Sequence, residues 1–365
     1  LVRGDDEQLL EEETLAVGAD LYNSLIVPIE PLIDGASHLI ISPDAELNRV
    51  PFAALVNEDD RYLIEQYDIQ YVTSGADLLT IPAATNGNST VVFAGPDFDL
   101  TADRRLEVRA DTTGPAIRTR GPDKIVVRGM KWDPLAGAAQ EAEDIQLALD
   151  ETSYGPVLVF KDSLALEERF KSVSSPQILH VGTHGYFLDQ VNLDEDAESN
   201  FQLSGGSGFG AARGLGLLRV NDNPLLRSGI IMAGANHIGM EGNEGVDDGW
   251  VTAEEISMMD LQGTELVVLS ACESGLGDIK AGQSVQGLRQ AFQLAGAESV
   301  VSTLYKIPDA ASRDLMLLFY NRIRDGHSAM VALNRAQRET IARRREYNDA
   351  AHPFFWAGFI SVGQR

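Results

Sequence analysis

Glu265-Leu266-Val267-Val268-Leu269-Ser270-Ala271-Cys272-Glu273-Ser274-Gly275 decides how this chain is read. An apolar run leads into the only cysteine of 365 residues, and a small, polar, glycine-containing turn follows. A short apolar run bounded by turn residues reads as a buried strand of an α/β protein. In such sheets ligands sit outside the carboxyl ends of the strands. A thiol delivered to that rim is a candidate nucleophile. A free cysteine is also among the most buried residue types, so the same segment suits a small core residue with no chemical role. The rest of the chain has to separate these two readings.

Outward from that stretch the pattern is strand, helix, strand, helix. Residues 90–94, 156–160, 177–182, 299–304 and 355–362 read as further strands. Helical patterns occupy 137–149, 164–173 and 285–294, with two more helices over 310–345. Thr252 opens another helix, with Glu255 at capping-box spacing. Alternating strand and helix implies a mainly parallel central sheet covered on both faces, a three-layer α/β/α fold. Before it lie a helical segment over 5–33, broken by Pro28 and Pro31, and short strands at 38–42 and 64–72. The polar, turn-rich run 81–90 reads as a boundary. It divides an N-terminal α/β portion, 1–80, from a larger domain, 89–365. Two irregular insertions interrupt the latter: 98–131, which holds eight of the chain's 29 Lys and Arg, and 189–222, acidic and then glycine-rich.

Bulk properties narrow the function. The formal charge is −26 and the sequence pI about 4.5, which disfavours nucleic acid and anionic membranes and favours basic partners. One cysteine permits no intrachain disulfide, and a reducing cytoplasm is the expected compartment. No run of 18 apolar residues suggests a membrane span. The chain opens on Leu1, which reads as a piece of a longer protein. Glu241, Glu244, Asp247 and Asp248 do not have the spacing of a recognised calcium loop, so no metal and no cofactor are expected.

Two strands end in reactive side chains. His184 follows the 177–182 strand and Cys272 the 265–270 strand. A right-handed crossover sets such strand ends side by side. A thiol needs a base to become a thiolate, an acid for the leaving amine and donors for the oxyanion. His184 supplies the first two, and the N–H groups of Gly185 and Cys272 are candidates for the third. His180, four residues earlier, is expected to be a core histidine.

His180-Val181-Gly182-Thr183-His184-Gly185, followed by Leu266 to Gly277, resembles the CHAT domain, a caspase-like and separase-like family. Ile40 to Asp44 with Val50 to Leu55, Leu135 to Glu143, Pro224 to Ala235 and Leu288 to Ala297 agree with it. The resemblance runs from about residue 15 to the end. It implies a caspase-type fold and a cysteine endopeptidase with a His184–Cys272 dyad. It also implies an upstream tetratricopeptide region or other regulatory protein, and a remnant half-domain in residues 1–80. Ser270-Ala271 stand where caspases carry Gln-Ala, so aspartate specificity is not implied.

By that resemblance the strand ending at Leu304 lines a peptide groove and adds a substrate strand. Ser270 and Tyr305 are then substrate-binding, Tyr305 as a platform for the residue before the cleaved one. Asp309 and Asp278 are candidates for an acidic pocket that takes Arg or Lys. Pro308-Asp309 equally suits the start of a helix. Arg213 and Arg219 in the 189–222 insertion are candidate self-cleavage points, and the basic 98–131 segment is a candidate plug for the groove. The alternative to a peptidase is a catalytically silent module of the same fold that binds a basic partner.

Overall fold

Proline at 28 and 31 stops the first helix where the sequence suggests. Gly4–Leu25 (α1) is followed by a single turn and the short helix Glu30–Ile33 (α2). The strands His38–Ile41 (β1) and Asp68–Tyr71 (β2) come next, then Thr90–Pro96 (β3), Ala102–Arg109 (α3), Ala136–Leu149 (α4), Val157–Asp162 (β4) and Glu167–Lys171 (α5). Ile178–Gly182 (β5) and Gly185–Phe187 (β6) flank His184. Ser228–Ile231 (β7), Trp250–Thr252 (β8), Ala253–Ser257 (α6), Leu266–Leu269 (β9), Ala281–Ala295 (α7) and Ser299–Thr303 (β10) follow. Asp309–Arg324 (α8), Ala329–Asn348 (α9) and Phe359–Gly363 (β11) complete the chain. This computed structural model describes residues 4–79, 87, 89–109, 130–187, 224–238, 246–270, 281–305, 307–348 and 350–363.

Among the described residues eight strands form one sheet in the order β1-β2-β11-β10-β9-β5-β3-β4. All neighbours are parallel except β10 and β11. The chain between β10 and β11 runs through α8 and α9, which return it to the neighbouring position in the opposite sense. The five strands β3, β4, β5, β9 and β10 therefore share one carboxyl rim, and β11, β2 and β1 point the other way.

Period-two alternation sorts the sheet's side chains onto two faces. Val92, Ala94, Ile178, Leu266, Val268 and Val301 pack under α4, α8 and α9. Val91, Phe93, Leu179, Val181, Val267, Leu269 and Val300 pack against α5, α6 and α7. The three-layer α/β/α architecture is thus present as expected.

A second, antiparallel sheet, β6-β7-β8, is absent from the sequence reading. It begins one residue past His184. The capping box at Thr252 forms as expected: the Thr252 hydroxyl accepts from Glu255 N, and Glu255 Oε2 accepts from Thr252 N at 3.0 Å. The same carboxylate helps hold Lys171, 4% exposed, which reaches Glu167 and Asp247 at 2.8 Å and Glu255 at 3.3 Å. Burial alone would lower that ammonium's pKa; the surrounding carboxylates more than offset it and keep it charged.

Strand addition along β10 is corrected by the sheet itself. Residues 299–302 pair with β9 on one edge and β11 on the other, so both edges are occupied there, and Thr303 continues the pairing with β11. Leu304 N is also engaged, donating to Gly358 O at 2.8 Å.

Candidate active site at the carboxyl rim

β5 is buried along its whole length, and the chain turns sharply after Gly182. Thr183 Oγ1 donates to Ile231 O, and Ile231 N donates to His184 O at 2.9 Å, so both residues are stitched to β7. His184 is 3% exposed. Its imidazole lies between Phe98 and Trp132, with ring centroids 5.1 and 5.3 Å away. Nε2 is 2.8 Å from the Asp133 carbonyl oxygen. A carbonyl can only accept, so Nε2 carries the hydrogen and Nδ1 is the basic nitrogen of the neutral ring. Asn236 fixes this arrangement from behind. Its side chain accepts from Trp132 N at 2.8 Å and donates to Trp132 O at 3.1 Å and to Asp99 at 3.0 Å.

β9 lies directly beside β5, with Val181 opposite Leu269. Ser270 N donates to Val181 O at 3.0 Å, carrying the pairing one step further. Alternation turns Ser270 towards α4 and α8, where its hydroxyl donates to Glu141 Oε2 at 3.0 Å and lies 3.5 Å from Ser312 Oγ. Beneath, His180 Nδ1 is 2.9 Å from the Tyr320 hydroxyl. Burial pulls His180 down to about 3, so it is neutral. Its Nε2 stands 3.4 Å from Glu141 Oε1; with a neutral ring this is no ion pair, and neither atom has a hydrogen-bond partner. Burial also pushes Glu141 up to about 8; the Ser270 hydrogen bond opposes the rise, Asp144 and Asp309 add to it, and Arg313 counters them.

The CHAT domain family profile matches residues 15–364. The chain belongs to the CHAT domain family. Tetratricopeptide repeat protein 28 of Mus musculus is 25% identical over 367 residues, covering 94% of this chain and 13% of that protein. The protein of the same name in Homo sapiens is 26% identical over 355 residues, with the same coverage of 94% and 13%. This CHAT domain therefore spans a small part of these curated relatives. Two structures of the Saccharomyces cerevisiae separase–securin complex are also similar. One has a TM-score of 0.41 at 12% identity, covering 89% of this chain and 16% of that chain. The other has 0.42 at 10%, covering 89% and 15%.

Of the residues singled out in the sequence, the CHAT domain brings His184, Gly185 and Ser270 to one rim. Cys272, Asp278, Arg213 and Arg219 lie outside the described residues, as do most of the two insertions. At Gly185 a Cβ would meet only ordinary contacts, Gly229 O at 3.7 Å and Leu288 Cδ1 at 3.8 Å, so packing does not demand glycine there. Asp309 is exposed in the first turn of α8, after Pro308, and a Cβ on Gly137 would come within 3.2 Å of its own. Tyr305 turns towards β11: its hydroxyl donates to Pro353 O at 2.8 Å and its ring stacks on Phe354. There it walls a nearly apolar groove of about 320 Å³ with Val17, Leu21, Pro51 and Leu55.

The described part of the basic insertion sits at the β6-β7-β8 side of the domain. Arg105, 1% exposed, donates to Asp247 O at 2.6 Å, and Arg109 is 3.7 Å from Glu168. Gly234, at φ +86°, leaves room for Arg105, since a Cβ there would lie 2.6 Å from its Nε. Glu141, Asn236 and Trp132 are the site residues that the sequence reading did not single out. Glu141 carried a signal, a carboxylate on an otherwise apolar helix face at Ala138, Ala142 and Ile145; Asn236 and Trp132 carried none.

Proposed function

We propose that this CHAT domain is a cysteine endopeptidase in which His184 and Cys272 act as a dyad. The observation that carries the reading is the pairing of Val181 with Leu269. His184 stands three residues past the first (184 − 181) and Cys272 three past the second (272 − 269). Adjacent parallel strands are about 4.8 Å apart, so equal offsets favour a thiol and an imidazole at one place on the rim. The tautomer of His184 supports it further, since the Asp133 carbonyl accepts from Nε2 and makes Nδ1 the basic nitrogen of the ring.

In this reading Nδ1 takes the thiol proton, and the thiolate adds to the scissile carbonyl. The N–H groups of Gly185 and Cys272 receive the oxyanion. The protonated imidazole returns its proton to the leaving amine, leaving a thioester. A water deprotonated by the same nitrogen then releases the acid and restores the thiol. Rings of Phe98 and Trp132 keep the imidazole from turning between these steps. The preferred residue before the cut is Arg or Lys, with Asp309 and Asp278 supplying negative charge, Ser270 the floor and Tyr305 a wall for the neighbouring residue. Arg213 and Arg219 are the self-cleavage points, and a tetratricopeptide region, as in the name of the relatives, regulates access in the cytoplasm.

A peptide-library digest tests the proposal. Cleavage that disappears in Cys272→Ala and is enriched after Arg and Lys is expected; a wild type that cuts nothing leaves the second reading, a silent module that binds a basic partner through the same acidic rim.

A further inference from the structure

The groups around the His184 imidazole come from the two ends of the basic insertion. Phe98 stands at its start, Trp132 and Asp133 at its finish, and they supply the two rings and the carbonyl that the imidazole touches. Both ends are irregular backbone, so neither a helix nor a strand ladder holds them in place.

One buried side chain joins them. Asn236 N donates to Phe98 O at 3.0 Å. The side-chain oxygen accepts from Trp132 N at 2.8 Å, and the side-chain nitrogen donates to Trp132 O at 3.1 Å and to Asp99 Oδ1 at 3.0 Å. The amide can face only one way, because the Trp132 N–H needs an acceptor and the Trp132 carbonyl needs a donor. Asp133, whose carbonyl accepts from His184 Nε2 at 2.8 Å, is the next residue along. A displacement of about 1 Å there would end that hydrogen bond. β7 and the turn after it therefore hold the histidine twice. Ile231 N donates to the His184 carbonyl at 2.9 Å, and Asn236 holds the segment that carries the ring's acceptor.

We infer that Asn236 is a positioning residue for His184: by clasping Asp99 and Trp132 it keeps the Asp133 carbonyl on Nε2, and so keeps the basic nitrogen of the neutral ring at Nδ1. The inference rests on the peptidase reading for its catalytic consequence, while its effect on the ring stands without it. When the clasp is removed, the ring also populates the tautomer with hydrogen on Nδ1, which cannot take a thiol proton.

A second buried asparagine provides a matched control. Asn334 Oδ1 accepts from Ile69 N at 2.9 Å, and its Nδ2 donates to Ile69 O at 2.9 Å and Met330 O at 2.8 Å. It makes the same clasp on β2, with β11 and β10 between it and β9. Loss of a buried amide costs stability in both places, but only Asn236 acts on the imidazole.

The test uses the full chain labelled with nitrogen-15 at histidine, with the His184 ring signals identified by their loss in His184→Gln. At pH 8 the wild type is expected to carry hydrogen on Nε2 alone. Asn236→Ala shows both tautomers, and Asn334→Ala matches the wild type. Asn236→Asp keeps the volume and the acceptor for Trp132 N but loses the donors; it shows the same change and carries the test if Asn236→Ala does not fold. On peptide reporters, well below each unfolding temperature, the Asn236 variants lose about 100-fold in kcat with KM unchanged, the scale of a small misplacement of a reacting group. Asn334→Ala keeps its kcat. A wild-type ring without hydrogen on Nε2, a tautomer unchanged in the Asn236 variants, or an equal loss of kcat in Asn334→Ala overturns the inference and leaves the peptidase in place. A wild type inert to every reporter overturns the peptidase reading instead, and the ring spectra then judge Asn236 by themselves.

Discussion

Two buried clusters of acid sit on opposite faces of the same sheet, and they are handled differently. On the α5–α6 side Lys171 is ringed by Glu167, Glu255 and Asp247, and every one of those contacts is within 3.3 Å. On the α4–α8 side Glu141 has a hydroxyl, a neutral histidine at 3.4 Å and no cation of its own. The first cluster is closed. It anchors residues 247–249 to α5 through Gly249 N on Glu167 at 2.7 Å, and so braces β7 and β8 behind His184. The second is buried too, near the carboxyl rim, and Glu141 Oε1 has no hydrogen-bond partner there. A buried cation held by carboxylates stays charged; a buried carboxyl without a cation is favoured as the neutral acid.

Breaking the closed cluster gives the largest effect. Lys171→Met leaves three carboxylates uncompensated and should cost about 3–5 kcal/mol, the range for removing one partner of a buried pair. Thermal unfolding would register it as a fall of many degrees; a change under 2 °C would mean that water, not Lys171, satisfies those acids. The cluster around Glu141 should show the reverse. Glu141 titrates at about 8 in the fold against 4.5 for an ordinary glutamate. Between those values the native state holds a proton that the unfolded chain has lost, so stability falls as pH rises and the loss is complete above about pH 8. Glu141→Gln removes that slope and should be more stable than wild type at pH 9 by on the order of 3 kcal/mol. Urea unfolding at pH 5 and pH 9 reads it directly, and parallel curves for the two proteins would refute the assignment. The smallest effect belongs to the capping box that joins the closed cluster. Thr252→Ala should cost about 1 kcal/mol, because Glu255 keeps its hold on Lys171 after losing the hydroxyl.

How much of this was legible follows from where the information sits. β3, β5, β9 and β10 declare themselves as apolar runs because both faces of a parallel strand are buried. The β6-β7-β8 sheet was not legible, since its strands are three or four residues long and the chain between β6 and β7 covers 40 positions. His184 was readable from its position after a strand, but its Nε2 partner is a main-chain carbonyl at residue 133, which no side-chain pattern can announce. Glu141 was visible within the helix that enters at Leu135, yet its partner Ser270 is 129 positions away, and only the fold reveals that pairing.

The central claim is that His184 and Cys272 work as one unit, and the alkylation rate of Cys272 tests it most directly. Iodoacetamide modification, followed by intact mass from pH 5 to 9, should run far faster at neutral pH than with a free thiol, because an imidazole partner raises the thiolate fraction. His184→Gln should slow it to the free-thiol rate and shift its midpoint to the ordinary cysteine value of about 8.5. A wild-type rate no faster than a free thiol, or one indifferent to His184→Gln, would contradict the account.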